Sequence, residues 1–264
     1  MDEVKSFLFP SSTTSTIHTL ILCLSANGDS SYRDAESMAR LMTDRFQSQV
    51  TILSDSPNRR FRSVEELHSV RIHIVRRKED CIKHIRDVVS SLPEHSDLLF
   101  LVSGHGYSVS ATGVHKQQEL NGRSECLHVG RTILYDYELF EALYTQMRMD
   151  TKSLCLVDTC HSGTMLDLEY ISFDGGLTVR RSFQRLCLRP FSVCISACAD
   201  SEVAGEDISD YNGWGGKLVC RYLDYVNNIQ TGSFSVYDFF TDTFRSFQGQ
   251  SSQRSRPVLS FNLS

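Results

Sequence analysis

Two short apolar runs end in residues that could do chemistry together. LLFLVSGHG (98–106) stops at His105 between two glycines, and LCLVDTCHSG (154–163) stops at Asp158 and then presents Cys160 beside His161. A thiol placed in this way can be a nucleophile, a metal ligand or one more core group, and free cysteines are most often the last. Metal ligation needs a second ligand pair at suitable spacing. The chain has nine cysteines but no CxxC pair, and the clusters CLH (126–128) and CH (160–161) lack a companion. The odd count, and the seats of Cys23, Cys155 and Cys194 inside apolar runs, argue against a disulfide framework. They point to reduced, mostly buried thiols, as in the cytoplasm or nucleus.

What must position His105 and Cys160 is a series of alternating strands and helices. IHTLILCLS (17–25), QVTILSD (49–55), SDLLFLVSGHG (96–106), SLCLVDTC (153–160), FSVCISACAD (191–200) and PVLSF (257–261) read as strands. Between them, 34–46, 79–92, 136–147, 215–226 and 235–247 carry apolar residues at helical spacing, with Asp34 as an N-cap candidate. Strands without internal polarity, separated by helices of this length, imply a mostly parallel sheet with helices on both faces. The pattern predicts one α/β domain over 17–264, a loose Ser/Thr-rich N-terminal tail over 1–16, and long loops at 53–80, 106–132 and 163–190.

Chemistry in such a sheet gathers outside the carboxyl ends of the strands. His105 and Cys160 both fall there, at the same edge, and a thiol becomes a nucleophile most readily beside a base. That favours Cys160 as nucleophile, with His161 as a packing or orienting residue. Trp214, in NGWGGK, reads as a lid or packing aromatic. A formal net charge of −5 in 264 residues argues against general binding to nucleic acid or anionic membranes. The arginine clusters (Arg59, Arg60, Arg62; Arg180, Arg181, Arg185) read as solvated loops. No run approaches the roughly 20 apolar residues that a membrane-spanning helix needs.

The ordered pair SGHG and DTCHSG resembles the histidine and cysteine segments of the caspase-like cysteine peptidases, and among them the metacaspases, whose cysteine motif has this form. SYRDAESMARLM and ISACADSEVAGE add weaker matches, so that the resemblance covers about residue 17 to at least 225. It implies a caspase-like three-layer sandwich with a central sheet of about six or more strands. It also implies a cysteine endopeptidase in which Cys160 attacks the scissile carbonyl and forms a thioester, while His105 manages the protons. Backbone N–H groups of Gly106 and Cys160 would form the oxyanion hole. Asp34, Ser103 and Asp158 match the lining of the primary specificity pocket, which implies protein or peptide substrates cut after Arg or Lys.

The same resemblance implies an activating calcium, but the matching positions depart from the family. Asp136 and Asp167 remain, Tyr135 replaces one carboxylate, and Ser124 and Glu125 stand in a shortened loop. Calcium takes six to eight oxygen ligands, so this set is an eroded Ca2+ site and no cofactor is required with certainty. Self-cleavage has basic candidates in Arg180 and Arg181. The family resemblance implies a monomer. The competing expectation is a non-proteolytic caspase-fold regulatory or binding module, motivated by the eroded carboxylates; a cysteine hydrolase of another α/β family fits the His-then-Cys order less well.

Overall fold

The run Ile17–Leu24 shows why the sheet lies in the middle of the molecule. Its alternate side chains point to opposite faces, and both sets are buried: Leu20 and Leu22 on one side, Ile21 and Cys23 on the other. The strands Asp97–Gly104 and Lys152–Asp158 divide in the same way, with Phe100, Val102, Cys155 and Val157 facing one core and Leu99, Leu101, Leu154 and Leu156 the other. In this computed structural model, all residues from 1 to 264 are described except 13, 25–29, 58–60, 114–121, 182–188, 210–212, 231, 249–254 and 264. Ser25, Arg59, Arg60, Arg185 and Cys187 therefore lie outside the described residues.

The central sheet has nine strands. From one edge they run Arg180–Arg181, Tyr170–Ser172, Val258–Asn262, Ser192–Ser196, Lys152–Asp158, Asp97–Gly104, Ile17–Leu24, Gln49–Ser54 and Val70–Ile74. The strands from Ser192–Ser196 to Val70–Ile74 are mutually parallel, and the three at the other edge are antiparallel to their neighbours. Helices Ser30–Phe46, Lys217–Asn228 and Val236–Gln248 cover one face, and Lys78–Ser90 and Asp136–Tyr144 the other. This is the expected three-layer, mostly parallel α/β sandwich. Truncating a side chain sealed between two layers, such as Leu101→Ala, would cost about 3 kcal/mol, a large share of a typical domain's stability.

Three expectations are corrected. The N-terminal segment is not a loose tail: Asp2–Lys5 is a short helix, Leu8–Phe9 pairs antiparallel with Phe234–Ser235, and Val4, Phe7 and Phe9 are buried in the core. Their apolar burial outweighs the Ser/Thr-rich composition that follows them. The long loops contain strands: Val70–Ile74 extends the sheet, Gly106–Ser110 and Arg123–Val129 form a hairpin, and Tyr170–Ser172 and Arg180–Arg181 add to the sheet edge. Finally, the helix expected from Asp34 begins at Ser30, so Asp34 is buried in its second turn rather than standing before its first residue.

Candidate active site

Parallel pairing sets the two reactive segments side by side. Ser103 is in register with Asp158 and Gly104 with Leu24, so the chain leaves all three strands at one edge. The glycines around His105 are dictated by close approach. A Cβ at Gly104 would collide with the Leu24 carbonyl, and one at Gly106 with the Cys160 carbonyl and, at 2.8 Å, the Thr159 hydroxyl. Gly106 thus lies directly against the Thr159–Cys160 backbone. The exposed His105 and the half-buried Cys160 both line a cavity of about 330 Å³, together with Asp34, Ser103, Asp158, Glu206 and Gly216.

Cys160 differs from the other described cysteines, all of which are buried. Burial pushes the Cys81 and Cys155 thiols up to about 12 and those of Cys126 and Cys198 up to about 11. Such thiols stay protonated and inert near neutrality. His161 Nδ1 meets the Asp200 carbonyl oxygen.

The carboxylates expected in the pocket are found there, buried and hydrogen-bonded. Asp34 Oδ2 accepts from the Ser103 hydroxyl at 2.8 Å, and both Asp34 oxygens accept from the Gly216 N–H at 3.2 Å. Asp158 Oδ2 accepts from the Val219 N–H at 2.9 Å, at the start of helix Lys217–Asn228, where exposed N–H groups favour an anion. Burial and the neighbouring Asp34 nevertheless push the Asp158 carboxyl up to about 7, against the Val219 and Leu218 N–H groups, with Glu206 adding to the rise.

Glu206, Trp214 and Gly216 are among the cavity residues that the sequence did not assign to the site. The hairpin of Glu206–Ser209 and Gly213–Gly216 forms one wall. It brings Glu206 and the half-exposed Trp214 to the rim, where the indole N–H donates to Glu206 Oε2 at 2.7 Å. It also brings Gly216 between the two buried carboxylates. The glycine pair before helix Lys217–Asn228 was the available signal.

Of the positions matched to a calcium site, Asp136 and Glu125 lie together and already accept hydrogen bonds from the protein. Asp136 opens helix Asp136–Tyr144, and its oxygens accept from the Glu125 N–H at 2.6 Å and the Tyr137 N–H at 2.7 Å. Glu125 accepts from the Ser108 hydroxyl at 3.1 Å and the Thr164 hydroxyl at 2.9 Å. Ser124 is buried beside it, and Asp167 is buried after the turn that carries Cys160, with its N–H donating to the Thr164 carbonyl at 2.8 Å. Among the described residues, no group of three or more His, Cys, Asp or Glu gathers as a metal would require. Asp136 and Glu125, spent in this way on protein N–H and O–H groups, fit calcium poorly as arranged. Arg180 and Arg181 lie away from this corner, exposed on the outermost strand, with Arg181 paired to Glu169 at 2.6 Å.

Known proteins resemble this chain in fold and in sequence. Over 94% of both chains, the fold superposes with a TM-score of 0.62 and 17% identity on the crystal structure of protein GSU0716 from Geobacter sulfurreducens, a likeness of fold alone. The chain is 27% identical to Metacaspase-1 of Plasmodium falciparum over 173 residues, which are 62% of this chain and 27% of that protein. It is 27% identical to Metacaspase-5 of Trypanosoma cruzi over 203 residues, 69% of this chain and 44% of that one. The chain therefore spans less than half the length of either curated relative. Residues 25–169, which include both reactive segments, match the metacaspase, peptidase C14 domain, and the chain belongs to that family.

Proposed function

We propose that the chain is a cysteine endopeptidase that cuts after arginine or lysine. The observation that carries this reading is the convergence of Asp34 and Asp158 on Gly216, in the cavity that His105 and Cys160 also line. Buried carboxylates are costly without a partner, and a guanidinium or ammonium group meets them through charge-assisted hydrogen bonds. An acidic side chain would add like charge to an acidic pocket and be rejected. Glu206 extends the negative charge to the rim, and the Trp214 ring offers an apolar face to the aliphatic stem of the basic residue.

In this reading His105 takes the Cys160 thiol proton, and the sulfur attacks the scissile carbonyl carbon. The resulting oxyanion is held by the N–H groups of Gly106 and Cys160, each worth about 3 kcal/mol in comparable sites. Collapse breaks the C–N bond, the amine leaves with the proton from His105, and a thioester remains on Cys160. Water, deprotonated by His105, then releases the new carboxylate and restores the thiol. Calcium has no part in these steps. The same reading takes the protein as a cytoplasmic monomer acting on protein substrates and able to cut itself at Arg180 or Arg181. None of its described helices is long and apolar enough to cross a membrane.

The test is a set of fluorogenic peptides ending in Arg, Lys or Asp, with Cys160→Ala as control. Cleavage after Arg and Lys, abolished in the control, is expected. Cleavage after Asp would overturn the pocket assignment, and activity surviving in Cys160→Ala would overturn the nucleophile. No turnover of any peptide, with partner binding unchanged by Cys160→Ala, would make the chain a non-proteolytic module.

A further inference from the structure

The backbone that presents Cys160 does not hold its shape alone. His161, directly after the nucleophile, has φ of 54°, a left-handed conformation that a residue with a side chain adopts only when its surroundings impose it. The surroundings here are one short segment, 198–202, which leaves the neighbouring parallel strand Ser192–Ser196 at the same sheet edge. Cys198 Sγ donates to the Thr159 carbonyl at 3.4 Å, the His161 N–H donates to the Glu202 carbonyl at 3.2 Å, and the Ser162 hydroxyl donates to the Cys198 carbonyl at 3.3 Å. The segment is itself braced, since Glu202 accepts from the Ala199 N–H at 3.2 Å and from the Arg256 backbone N–H and Nε, both at 2.9 Å.

Asp200 is the member of this clamp whose side chain grips the turn. Its Oδ1 accepts the Thr164 N–H at 2.8 Å, its Oδ2 lies 3.0 Å from the Thr164 hydroxyl, and the Gly163 N–H also bonds to it. Its main-chain carbonyl meets His161 Nδ1. Gly163 is seated so closely that a Cβ would come within 2.9 Å of Asp200 Oδ1 and 3.2 Å of the Ala199 Cα. The Thr164 hydroxyl, 2.9 Å from Glu125 Oε2, has one proton to share between two carboxyl groups, so the grip continues into strand Arg123–Val129.

We propose that Asp200 is a positioning residue for the nucleophile: by holding the backbone of Gly163 and Thr164 it fixes the turn that aims Cys160 and its N–H at the substrate carbonyl. The proposal rests on the reading of Cys160 as nucleophile. It separates two substitutions that a merely structural role would not. Asparagine keeps an oxygen for the Gly163 and Thr164 N–H groups and can donate to the Thr164 hydroxyl, whose own proton then turns to Glu125. Alanine leaves all of these groups without Asp200.

The experiment compares wild type, Asp200→Ala, Asp200→Asn and Thr164→Val on an arginyl aminomethylcoumarin peptide. Each rate is expressed per Cys160 titrated with an arginyl chloromethyl ketone, so that unfolded protein drops out. Misplacement of reacting groups by about 1 Å can cost about 100-fold. We expect a kcat loss of that order in Asp200→Ala with KM little changed, near wild-type turnover in Asp200→Asn, and near wild-type turnover in Thr164→Val, which keeps its N–H. Wild-type kcat per titrated site in Asp200→Ala, or a defect confined to KM, would overturn the proposal. A loss in Thr164→Val equal to that in Asp200→Ala would overturn it by moving the effect to the hydroxyl link. If the wild-type protein itself turns over no peptide, the reading of Cys160 fails, and the proposal with it.

Discussion

Asp34, on a helix, and Asp158, at the end of a strand, close on a single point. A Cβ at Gly216 would lie 2.9 Å from Asp34 Oδ2 and would overlap Asp158 Oδ2. Two buried carboxylates drawn together around a glycine are set to receive a cation in the proposed function. Gly216→Ala is therefore expected to lower kcat/KM for arginyl peptides by 100-fold or more, because the methyl group displaces the Asp158 and Asp34 carboxylates that would hold the guanidinium. Asp158→Asn should cost a similar factor, as lost charge-assisted hydrogen bonds and a mismatched buried amide add together. Peptide kinetics measure both, and unchanged arginyl cleavage in either variant would remove the pocket from the mechanism.

The same pair makes binding sensitive to pH. Asp158 faces Asp34 and Glu206 as like charges, the Leu218 and Val219 N–H groups as donors, and the buried Lys217, whose Nζ lies 4.0 Å from the Phe247 ring centroid. Its carboxyl titrates at about 7 in the free protein, and a cationic side chain favours the ionised form. KM for arginyl peptides should therefore fall as pH rises through about 7, and Asp158→Asn should flatten this dependence. Stability moves the opposite way. The folded pKa lies above the ordinary value of 3.8, so the folded state binds more protons than the unfolded state between those limits. Stability from this group is full below about pH 4, declines as pH approaches 7 and levels above it. Thermal unfolding of wild type against Asp158→Asn across that range measures the difference.

The strands that carry the site were legible for a physical reason. Sealing both faces of Ile17–Leu24, Asp97–Gly104 and Lys152–Asp158 requires continuous apolar runs, and such runs are visible in one dimension. Their carboxyl ends then announce His105 and Cys160. The start of helix Ser30–Phe46 was hidden because its first turn, SSYR, has no apolar stripe, which shifted the expected start to Asp34. Strands such as Tyr170–Ser172 and Arg180–Arg181 are too short for a period and exist through pairing alone. Asp200 falls just past the carboxyl end of strand Ser192–Ser196, where chemistry is expected, whereas Glu206 reaches the site by tertiary closure of segments far apart in the chain, which no local pattern encodes.

Arg180 and Arg181 lie on an exposed edge strand, but both are paired to Tyr170–Ser172. A protease cleft reads extended backbone, so this strand must leave the sheet edge before it can be cut. Self-cleavage is expected to be slower than cleavage of a free arginyl peptide and to scale with enzyme concentration, as one molecule cuts another. N-terminal sequencing of the incubated protein should find a new end after Arg180 or Arg181. The double variant Arg180→Ala, Arg181→Ala should remain a single chain, and fragmentation of that variant at the same place would exclude these arginines.

Calcium is expected to be dispensable, and the reason lies in who already holds the carboxylates. Asp136 spends its oxygens on the Glu125 and Tyr137 N–H groups, and Glu125 spends its own on the Ser108 and Thr164 hydroxyls. For a cation to gather them, these buried donors would lose their acceptors, at about 1–3 kcal/mol each. Two or three carboxylates drawn from such a network, in a site that also lacks the carboxylate replaced by Tyr135, offer little in return. Activity on an arginyl peptide should be equal in chelator and in millimolar calcium, and the thermal unfolding midpoint should not move between the two. A calcium-dependent rise in both would mean that the network opens, and Asp136→Asn would then abolish the rise. If the midpoint stays fixed, Asp136→Asn should instead act as a purely structural change that lowers stability by weakening the bonds to the Glu125 and Tyr137 N–H groups.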